Sequence, residues 1–261
     1  MPQIPINDSV LYYELHGQGP PLVFIHGLGS STQDWAYQVA ALAPTYTVLT
    51  FDLRGHGQSA RPPGPYTIPL FAADTAGLLQ ALDIGAAHIV GVSLGGSVAF
   101  QLALDAPTQV KTLTIVNSAP GLPGSAAAAQ QEIDRRVALV QQMGMRAMGE
   151  ALSPNLFPHP EHAALRQSFV ERWATNDPAA YIAATRALLG WDVGDQIGAI
   201  RCPTLVIAAD QDYSPVAVKA AYVQRMPDAR LVVIPATHHA VPMETPEQFT
   251  AVLVAFLAEQ R

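Results

Sequence analysis

Cysteine, long apolar runs and clusters of positive charge are scarce or missing in this sequence of 261 residues. The single cysteine, Cys202, excludes an internal disulfide, and its place before an apolar run predicts a buried thiol. No apolar run approaches the length of a membrane span. The first residues also lack the charged start and apolar stretch of a signal peptide, so we expect a cytoplasmic protein.

Charged residues are few as well, at 13% of the chain, and they sum to a net charge of −7. Because nucleic acid requires a basic surface, we expect no nucleic-acid partner. Apolar residues make up 49% of the chain, which is enough for a packed core and excludes a disordered protein. The length suits one large domain or a domain with an insertion, and the oligomeric state is left open.

Short β-branched runs alternate with longer helical segments along most of the chain. Near-continuous apolar strands separated by helices are typical of a parallel sheet that is covered on both faces. One run, at residues 10–14, is joined by the short polar turn HGQGPP to the next predicted strand, Leu22–His26. A connection this short predicts that the two strands form an antiparallel pair. The other runs predicted as strands are Leu22–His26, Thr47–Phe51, His88–Val92, Val110–Asn117, Thr204–Ala209 and Leu231–Pro235.

Residues 119–196 interrupt this alternation, because they contain several helical segments and no predicted strand. A helical block between two strands of a parallel sheet resembles a lid over a ligand site. We therefore predict a core domain of residues 1–118 and 197–261 and a lid of residues 119–196. Helix starts are predicted near Ser31, at Ser214-Pro215 and at Thr245-Pro246-Glu247-Gln248, the last as a capping box.

Gly91-Val92-Ser93-Leu94-Gly95 is the strongest local signal for chemistry, because it follows a predicted strand and precedes a helical segment. A serine on such a tight turn stands clear of the sheet, and the flanking glycines let the backbone approach closely. The start of the following helix places N–H groups near a developing oxyanion. This pattern predicts that Ser93 is a nucleophile.

A second loop, His26-Gly27-Leu28-Gly29, follows another predicted strand and can complete an oxyanion hole. The backbone N–H groups of Leu28 and Leu94 are the predicted donors. We interpret His26 as a residue that holds this loop, because a better-placed base exists near the end of the chain.

Histidines and carboxylates follow the last two predicted strands. His238 and His239 come after one strand, and Asp210 and Asp212 come after the strand before it. The residues alone do not decide which histidine is the base and which aspartate is its partner. The order of serine, acid and histidine, each behind its own strand, predicts that they meet at the carboxyl edge of the sheet.

With these residues in place, the chain resembles the α/β-hydrolase fold superfamily over nearly its full length. This resemblance implies a mostly parallel, doubly wound sheet of about eight strands with an inserted helical lid. It also implies the triad Ser93, Asp212 and His239, since Asp212 lies three residues after a small residue and His239 five before Glu244. The matching segments are HGLGSS at 26–31, DLRGHGQS at 52–59, GVSLGG at 91–96, ADQD at 209–212 and HAVPMETPEQF at 239–249.

Two positions depart from the family pattern. His238 stands where the family usually has a glycine, and the loop from Asp212 to Pro215 is one residue short. Within the DLRGHGQS stretch, Asp52, Arg54 and His56 are interpreted as a structural hydrogen-bond network.

The closest likeness within the superfamily is to esterases and 3-oxoadipate enol-lactonase-like hydrolases with helical lids. It implies a serine hydrolase that cleaves a small-molecule ester or lactone through an acyl-enzyme, with no cofactor or metal. Three alternatives stay open: a C–C bond hydrolase, a cofactor-free haloperoxidase-like enzyme and a slow-turnover small-molecule receptor.

Substrate contacts are expected from the lid, because an inserted lid has the sheet edge to cover. Most of its large apolar residues have the spacing of packing residues. The six lid arginines are candidates to meet a substrate carboxylate, and the sequence does not indicate which of them, if any, points inward. The segment His159-Pro160-Glu161-His162 lacks the spacing of a zinc motif and predicts lid surface. The residues predicted to contact substrate are Trp173, Trp191, Phe157 and Met145.

Overall fold

The computed structural model describes residues 2–122 and 124–260, and these form one sheet of eight strands flanked by helices. The spatial order of the strands is β1-β2-β4-β3-β5-β6-β7-β8. Strands β3 to β8 are parallel to one another, which confirms the predicted α/β class. The strands are β1 (Gln3–Ile6), β2 (Ser9–His16), β3 (Pro21–Ile25), β4 (Thr47–Phe51), β5 (Ala87–Val92), β6 (Val110–Val116), β7 (Thr204–Ala209) and β8 (Ala229–Ile234).

The pairing predicted for the first strands is wrong. Strand β2 is antiparallel, but its partners are β1 and β4, whereas β3 lies between the parallel strands β4 and β5. The apolar residues of β3 are buried on both faces, which requires a central position in the sheet. Strand β1 was not predicted, because it has only four residues and contains Pro5, which suits an edge.

Helices cover the two faces of the sheet, and each face has its own apolar core. The covering helices are α1 (Ala36–Leu42), α2 (Ile68–Ala81), α3 (Leu94–Asp105), α7 (Val216–Val223), α8 (Val241–Glu244) and α9 (Pro246–Ala258). Alternate residues of one strand enter different cores, so Val23 packs with α2 and α3 while Phe24 packs with α1 and α9.

The predicted helix starts have mixed outcomes. Ser31 caps the short helix Thr32–Trp35 by accepting a hydrogen bond from the N–H of Gln33, as expected. The capping box at Thr245 does not form, because α8 ends at Glu244 just before it and the Thr245 hydroxyl donates back to the carbonyl of Val241. Helix α7 begins at Val216 behind Pro215, so Ser214 lies outside it.

Residues 126–186 form a helical block of α4 (Ala126–Leu156), α5 (Ala163–Ala174) and α6 (Pro178–Arg186). Gly144 interrupts α4 with φ of 77°, so the helix runs in two segments. The block has an apolar cluster of its own in which aromatic rings pack edge to face, including Phe169 and Trp173. The block lies between β6 and β7, within the residues predicted to form a lid, and its function as a lid stays a prediction.

No helix within residues 2–122 and 124–260 has the length and hydropathy that crossing a membrane requires.

Candidate active site

Ser93 lies in the turn between β5 and α3 with φ of 55° and ψ of −119°. Such angles cost a residue with a side chain about 1–3 kcal/mol, so the surrounding structure must impose them. A Cβ on Gly91 would lie 2.2 Å from the Gly95 carbonyl oxygen, and a Cβ on Gly95 would lie 2.2 Å from that of Ile25. The two glycines therefore let α3 press against β3 and β5, and the turn that carries Ser93 is held in place.

The Ser93 hydroxyl does not serve as an N-cap of α3, so it is available to the cleft. Leu94 is the first residue of α3, and Leu28 lies in the loop after β3. Within the described chain, neither of their N–H groups donates to a protein acceptor. This loop touches the serine, because a Cβ on Gly27 would lie 3.4 Å from the Ser93 Cβ. Both predicted oxyanion donors are thus unpaired and close to Ser93.

His239 and Asp212 meet at the carboxyl ends of the last two strands. The imidazole Nδ1 lies 2.7 Å from Asp212 Oδ1, and the two side chains are 12% and 0% exposed. Asp210 does not reach the histidine, and it accepts a hydrogen bond from the Thr237 N–H instead. Of the two candidate carboxylates, the structure brings Asp212 to His239.

Asn117 at the end of β6 fixes the loop that carries the histidine, and the sequence analysis missed this role. Its amide nitrogen donates to the carbonyls of His238 and His239 at 3.2 and 3.0 Å. Its amide oxygen accepts from the Ala209 N–H at 2.9 Å. The sequence feature that indicates this role of Asn117 is a polar residue at the end of an apolar strand.

Lys219 in α7 is a second residue that the sequence analysis missed. Its ammonium group pairs with Asp212 Oδ2 at 2.5 Å, and both side chains are fully buried. The same group donates to the hydroxyl of Ser214 at 2.7 Å and to the Ser214 carbonyl. Burial alone would raise the pKa of Asp212, but the hydrogen bonds and charges of His239 and Lys219 outweigh it and lower that pKa.

Tyr213 occupies the other ring nitrogen of His239. Its hydroxyl lies 2.6 Å from His239 Nε2, and the two rings stack with centroids 4.1 Å apart. Among the described residues, Ser93 makes no hydrogen bond to His239. Although the Tyr213 residue as a whole is 65% exposed, desolvation of its hydroxyl against His239 raises the pKa of Tyr213, so the hydroxyl stays neutral and able to donate. The sequence feature that indicates an unusual residue here is the loop from Asp212 to Pro215, which is one residue shorter than in the family pattern.

Two cavities meet at Ser93 beneath the helical block. The small cavity has a volume of about 90 Å³ and apolar walls from α4, α5 and α8, including Trp173. The large cavity has a volume of about 790 Å³ and extends to Trp191. The residues that line both are Leu28, Ser93, Arg136, Leu152, Leu156, Tyr213 and His239.

The four residues predicted to contact substrate separate into two groups. Trp173 lines the small cavity, and Trp191 lines the large one while its indole donates to Gln101. Phe157 and Met145 line neither cavity and are 0% and 5% exposed in the core of the helical block. Helical periodicity identifies such residues as buried but does not distinguish a lid core from a lid underside. The prediction is therefore corrected for these two residues.

Arg136 in α4 is the lid arginine that lines both cavities. Its Nε donates to Glu132 Oε1 at 2.8 Å. Arg146 and Arg172 line neither cavity, and they are paired with Glu171 and Asp34.

His26 is held by backbone at both ring nitrogens and cannot act as a base. Its Nδ1 lies 2.7 Å from the Gly27 carbonyl, and its Nε2 accepts from the Leu53 N–H at 3.0 Å. Burial lowers its pKa to about 4, so it is neutral. His26 ties the loop after β3 to the end of β4.

The stretch after β4 is a structural network, as the sequence analysis proposed. Asp52 accepts from the N–H groups of Thr32 and Gln58, each at 2.7 Å. Arg54 forms a buried pair with Asp74 at 2.5 Å. Burial lowers the pKa of His56 to about 3, which keeps that ring neutral.

His159, His238 and Glu244 place possible metal-ligand atoms within 4.8 Å of one another. Both oxygens of Glu244 are already in use, because they accept from the Nδ1 and the backbone N–H of His238 at 2.8 and 2.6 Å. We therefore assign Glu244 to holding the loop before His239 rather than to a metal.

Comparison with known proteins places this arrangement in a family. The family described as "alpha/beta hydrolase fold" matches residues 20–165. A protein of Azorhizobium caulinodans named "Putative carbamate hydrolase RutD" is 32% identical, with 99% of each chain covered. The 3-oxoadipate enol-lactonase 2 of Acinetobacter baylyi is 32% identical, covering 79% of this chain and 77% of its own.

The fold agrees with a solved structure as well. The enol-lactonase from Burkholderia xenovorans superimposes with a TM-score of 0.92 at 28% identity, covering 98% of this chain and 100% of the other. The chain therefore belongs to the α/β-hydrolase fold family and is a hydrolase of its esterase and enol-lactonase branch.

Proposed function

We propose that the protein cleaves a small-molecule carboxylic ester or lactone through an acyl-enzyme formed on Ser93. The observation that carries this proposal is that Ser93 and the Asp212-bound His239 line the same two cavities. The strained backbone of Ser93 supports it, because such strain collects at functional sites.

In the proposed reaction, His239 Nε2 takes the proton of the Ser93 hydroxyl while Oγ bonds to the substrate carbonyl carbon. The N–H groups of Leu28 and Leu94 hold the oxyanion, and each such donor lowers the activation free energy by roughly 3 kcal/mol. The C–O bond then breaks, and the leaving oxygen receives the proton from His239. Water deprotonated by the same imidazole releases the acid and restores Ser93.

Asp212 keeps the imidazole in the tautomer whose Nε2 can accept a proton, and it stabilises the imidazolium that forms. The relatives are named for different substrates, a carbamate and an enol-lactone. The choice between ester and lactone for this chain is therefore part of the proposal, and the cytoplasmic location stays a prediction.

Covalent labelling with a fluorophosphonate tests the nucleophile directly. We expect the label on the Ser93 peptide of the wild-type protein and none in His239→Ala. Asp212→Asn should label far more slowly, whereas its matched control Asp210→Asn should label at the wild-type rate. Absence of label from Ser93, or label that survives in His239→Ala, contradicts the proposal. Tight binding of ester analogues without any labelling would favour the slow-turnover receptor.

The small cavity predicts a preference for short acyl groups. At about 90 Å³ it is smaller than the cavity of about 150 Å³ that holds benzene in an engineered protein core. We expect kcat/KM for p-nitrophenyl esters to fall at least about tenfold from butanoate to octanoate, since added methylenes must fit a small, mainly apolar space.

Trp173→Ala enlarges the small cavity and should largely remove this preference for short chains. Trp191→Phe alters only the large cavity and is the matched control, which should retain the wild-type preference. A wild-type rate that increases toward octanoate would show that the acyl group lies elsewhere.

A further inference from the structure

The phenol of Tyr213 stands between the two groups that must exchange a proton. Its hydroxyl bonds His239 Nε2 at 2.6 Å, and the Ser93 side chain is also a polar neighbour of that hydroxyl. A neutral imidazole nitrogen has a single lone pair, so it cannot accept from Tyr213 and Ser93 in the same geometry. The observed arrangement therefore has an engaged base and an unactivated serine.

We propose that Tyr213 is a side-chain gate, which rests on the proposed function and determines when His239 can accept the proton of Ser93. In the closed position the phenol caps the imidazole. In the open position the ring has turned away, and Ser93 takes over the hydrogen bond to Nε2. Substrate that enters the cleft opens the gate by occupying the space of the ring.

The backbone on either side of Tyr213 is held, so movement is confined to the side chain. The buried ammonium group of Lys219 bonds Asp212 on one side and both the hydroxyl and the carbonyl of Ser214 on the other. A shift of the loop would break these bonds in a dry interior. Rotation about the side-chain bonds of Tyr213 breaks only its hydrogen bonds and its stacking on His239.

The ring has room to turn. Tyr213 is 65% exposed and lines both cavities, so much of its surface has no packed neighbour. The large cavity of about 790 Å³ lies on one side of it. Because the ring also contributes to the wall of the small cavity, an open gate joins the two spaces at Ser93. The gate thus also affects which acyl groups reach the serine.

The test compares wild-type protein with Tyr213→Phe, which keeps the ring and removes only the bond to Nε2. We expect Tyr213→Phe to react with a small fluorophosphonate about three- to tenfold faster, the ratio that corresponds to one net hydrogen bond. The acyl burst with p-nitrophenyl acetate should accelerate by a similar factor, whereas KM should change less than twofold. Tyr37→Phe, on exposed α1, is the matched control and should react at the wild-type rate.

A crystal structure of the wild-type fluorophosphonate adduct gives a second readout. We expect the Tyr213 hydroxyl beyond hydrogen-bonding distance of His239 Nε2 in the adduct. A phenol still bound to Nε2 there would overturn the proposal.

Two kinetic results would also overturn it. An unchanged labelling rate in Tyr213→Phe would mean that the phenol does not obstruct the base. A slower rate would mean that the phenol passes the proton on rather than blocking it. Either result with Ser93 still labelled in the wild type rejects the gate alone, whereas an unlabelled wild type rejects the proposed function.

Discussion

Replacing Ser93 by alanine should lower kcat toward p-nitrophenyl acetate by on the order of 10⁶-fold, the loss typical when the nucleophile of a serine hydrolase is removed. We expect no other hydroxyl to take its place, because the strained turn holds Ser93 beside the two proposed oxyanion donors. The residual rate should come from substrate binding and the two N–H groups.

This loss should occur without a change in the fold, because alanine keeps the Cβ that the turn already accommodates. Initial rates and the thermal unfolding midpoint, measured on the same sample, check both statements. Ser168→Ala, on the exposed face of α5, is the control and should retain full activity. A Ser93→Ala protein that keeps more than roughly a hundredth of the wild-type rate would require another nucleophile, since the triad logic leaves none.

Replacing Lys219 by methionine should reduce the free energy of unfolding by about 3–5 kcal/mol. The pair with Asp212 is fully buried, so removing the ammonium group leaves a carboxylate with one partner, His239, in a dry interior. The loss should appear in urea unfolding followed by circular dichroism. Activity should fall as well, because the loop that carries Asp212 loses its anchor at Ser214.

Two further variants separate the buried pair from a general effect of charge. Arg230→Met removes an exposed pair with Glu259 and should cost under about 1 kcal/mol. The double variant Asp212→Asn with Lys219→Met should be more stable than Lys219→Met alone, because no charge is then left unpaired. Equal losses for Lys219→Met and Arg230→Met would show that burial of the pair does not matter.

The same pair predicts a dependence of stability on pH. The pKa of Asp212 is lowered in the folded protein from an ordinary value of 3.8, so folding is favoured wherever the carboxylate is ionised. Its contribution is present above pH 3.8 and is lost as the pH falls through the lower folded value. The stability difference between the wild type and Lys219→Met should therefore shrink in strong acid.

Local sequence patterns predicted the elements whose structure is determined by residues that are close together in the chain. Strands such as Thr47–Phe51 and Thr204–Ala209 and the turn at Ser93 each have a signature within a few residues. The sequence also predicted the helical block, because strand patterns are missing there. The choice of His239 and Asp212 depended on the resemblance, since either member of each pair fits the local pattern.

These local patterns do not predict contacts between segments that are far apart in the sequence. In the sequence Lys219 is an ordinary helix residue, and its importance comes from the packing of α7 behind Asp212. The importance of the Tyr213 phenol likewise comes from its contact with the loop that carries His239. The placement of Phe157 in the lid core depends on how α4 and α5 pack together. Pairing of β2 with β4 depends on the whole sheet rather than on the turn that follows it.

The contact of Gly95 with the Ile25 carbonyl has a consequence for how the enzyme tolerates motion. Helix α3 and the end of β3 meet there with no room for a methyl group, so the proposed nucleophile and oxyanion donors are held against each other by tight packing. We therefore expect substrates of different sizes to rearrange the helical block above without altering the distances between these groups. Sequence change in that block can therefore retune substrate choice while the reaction chemistry is preserved.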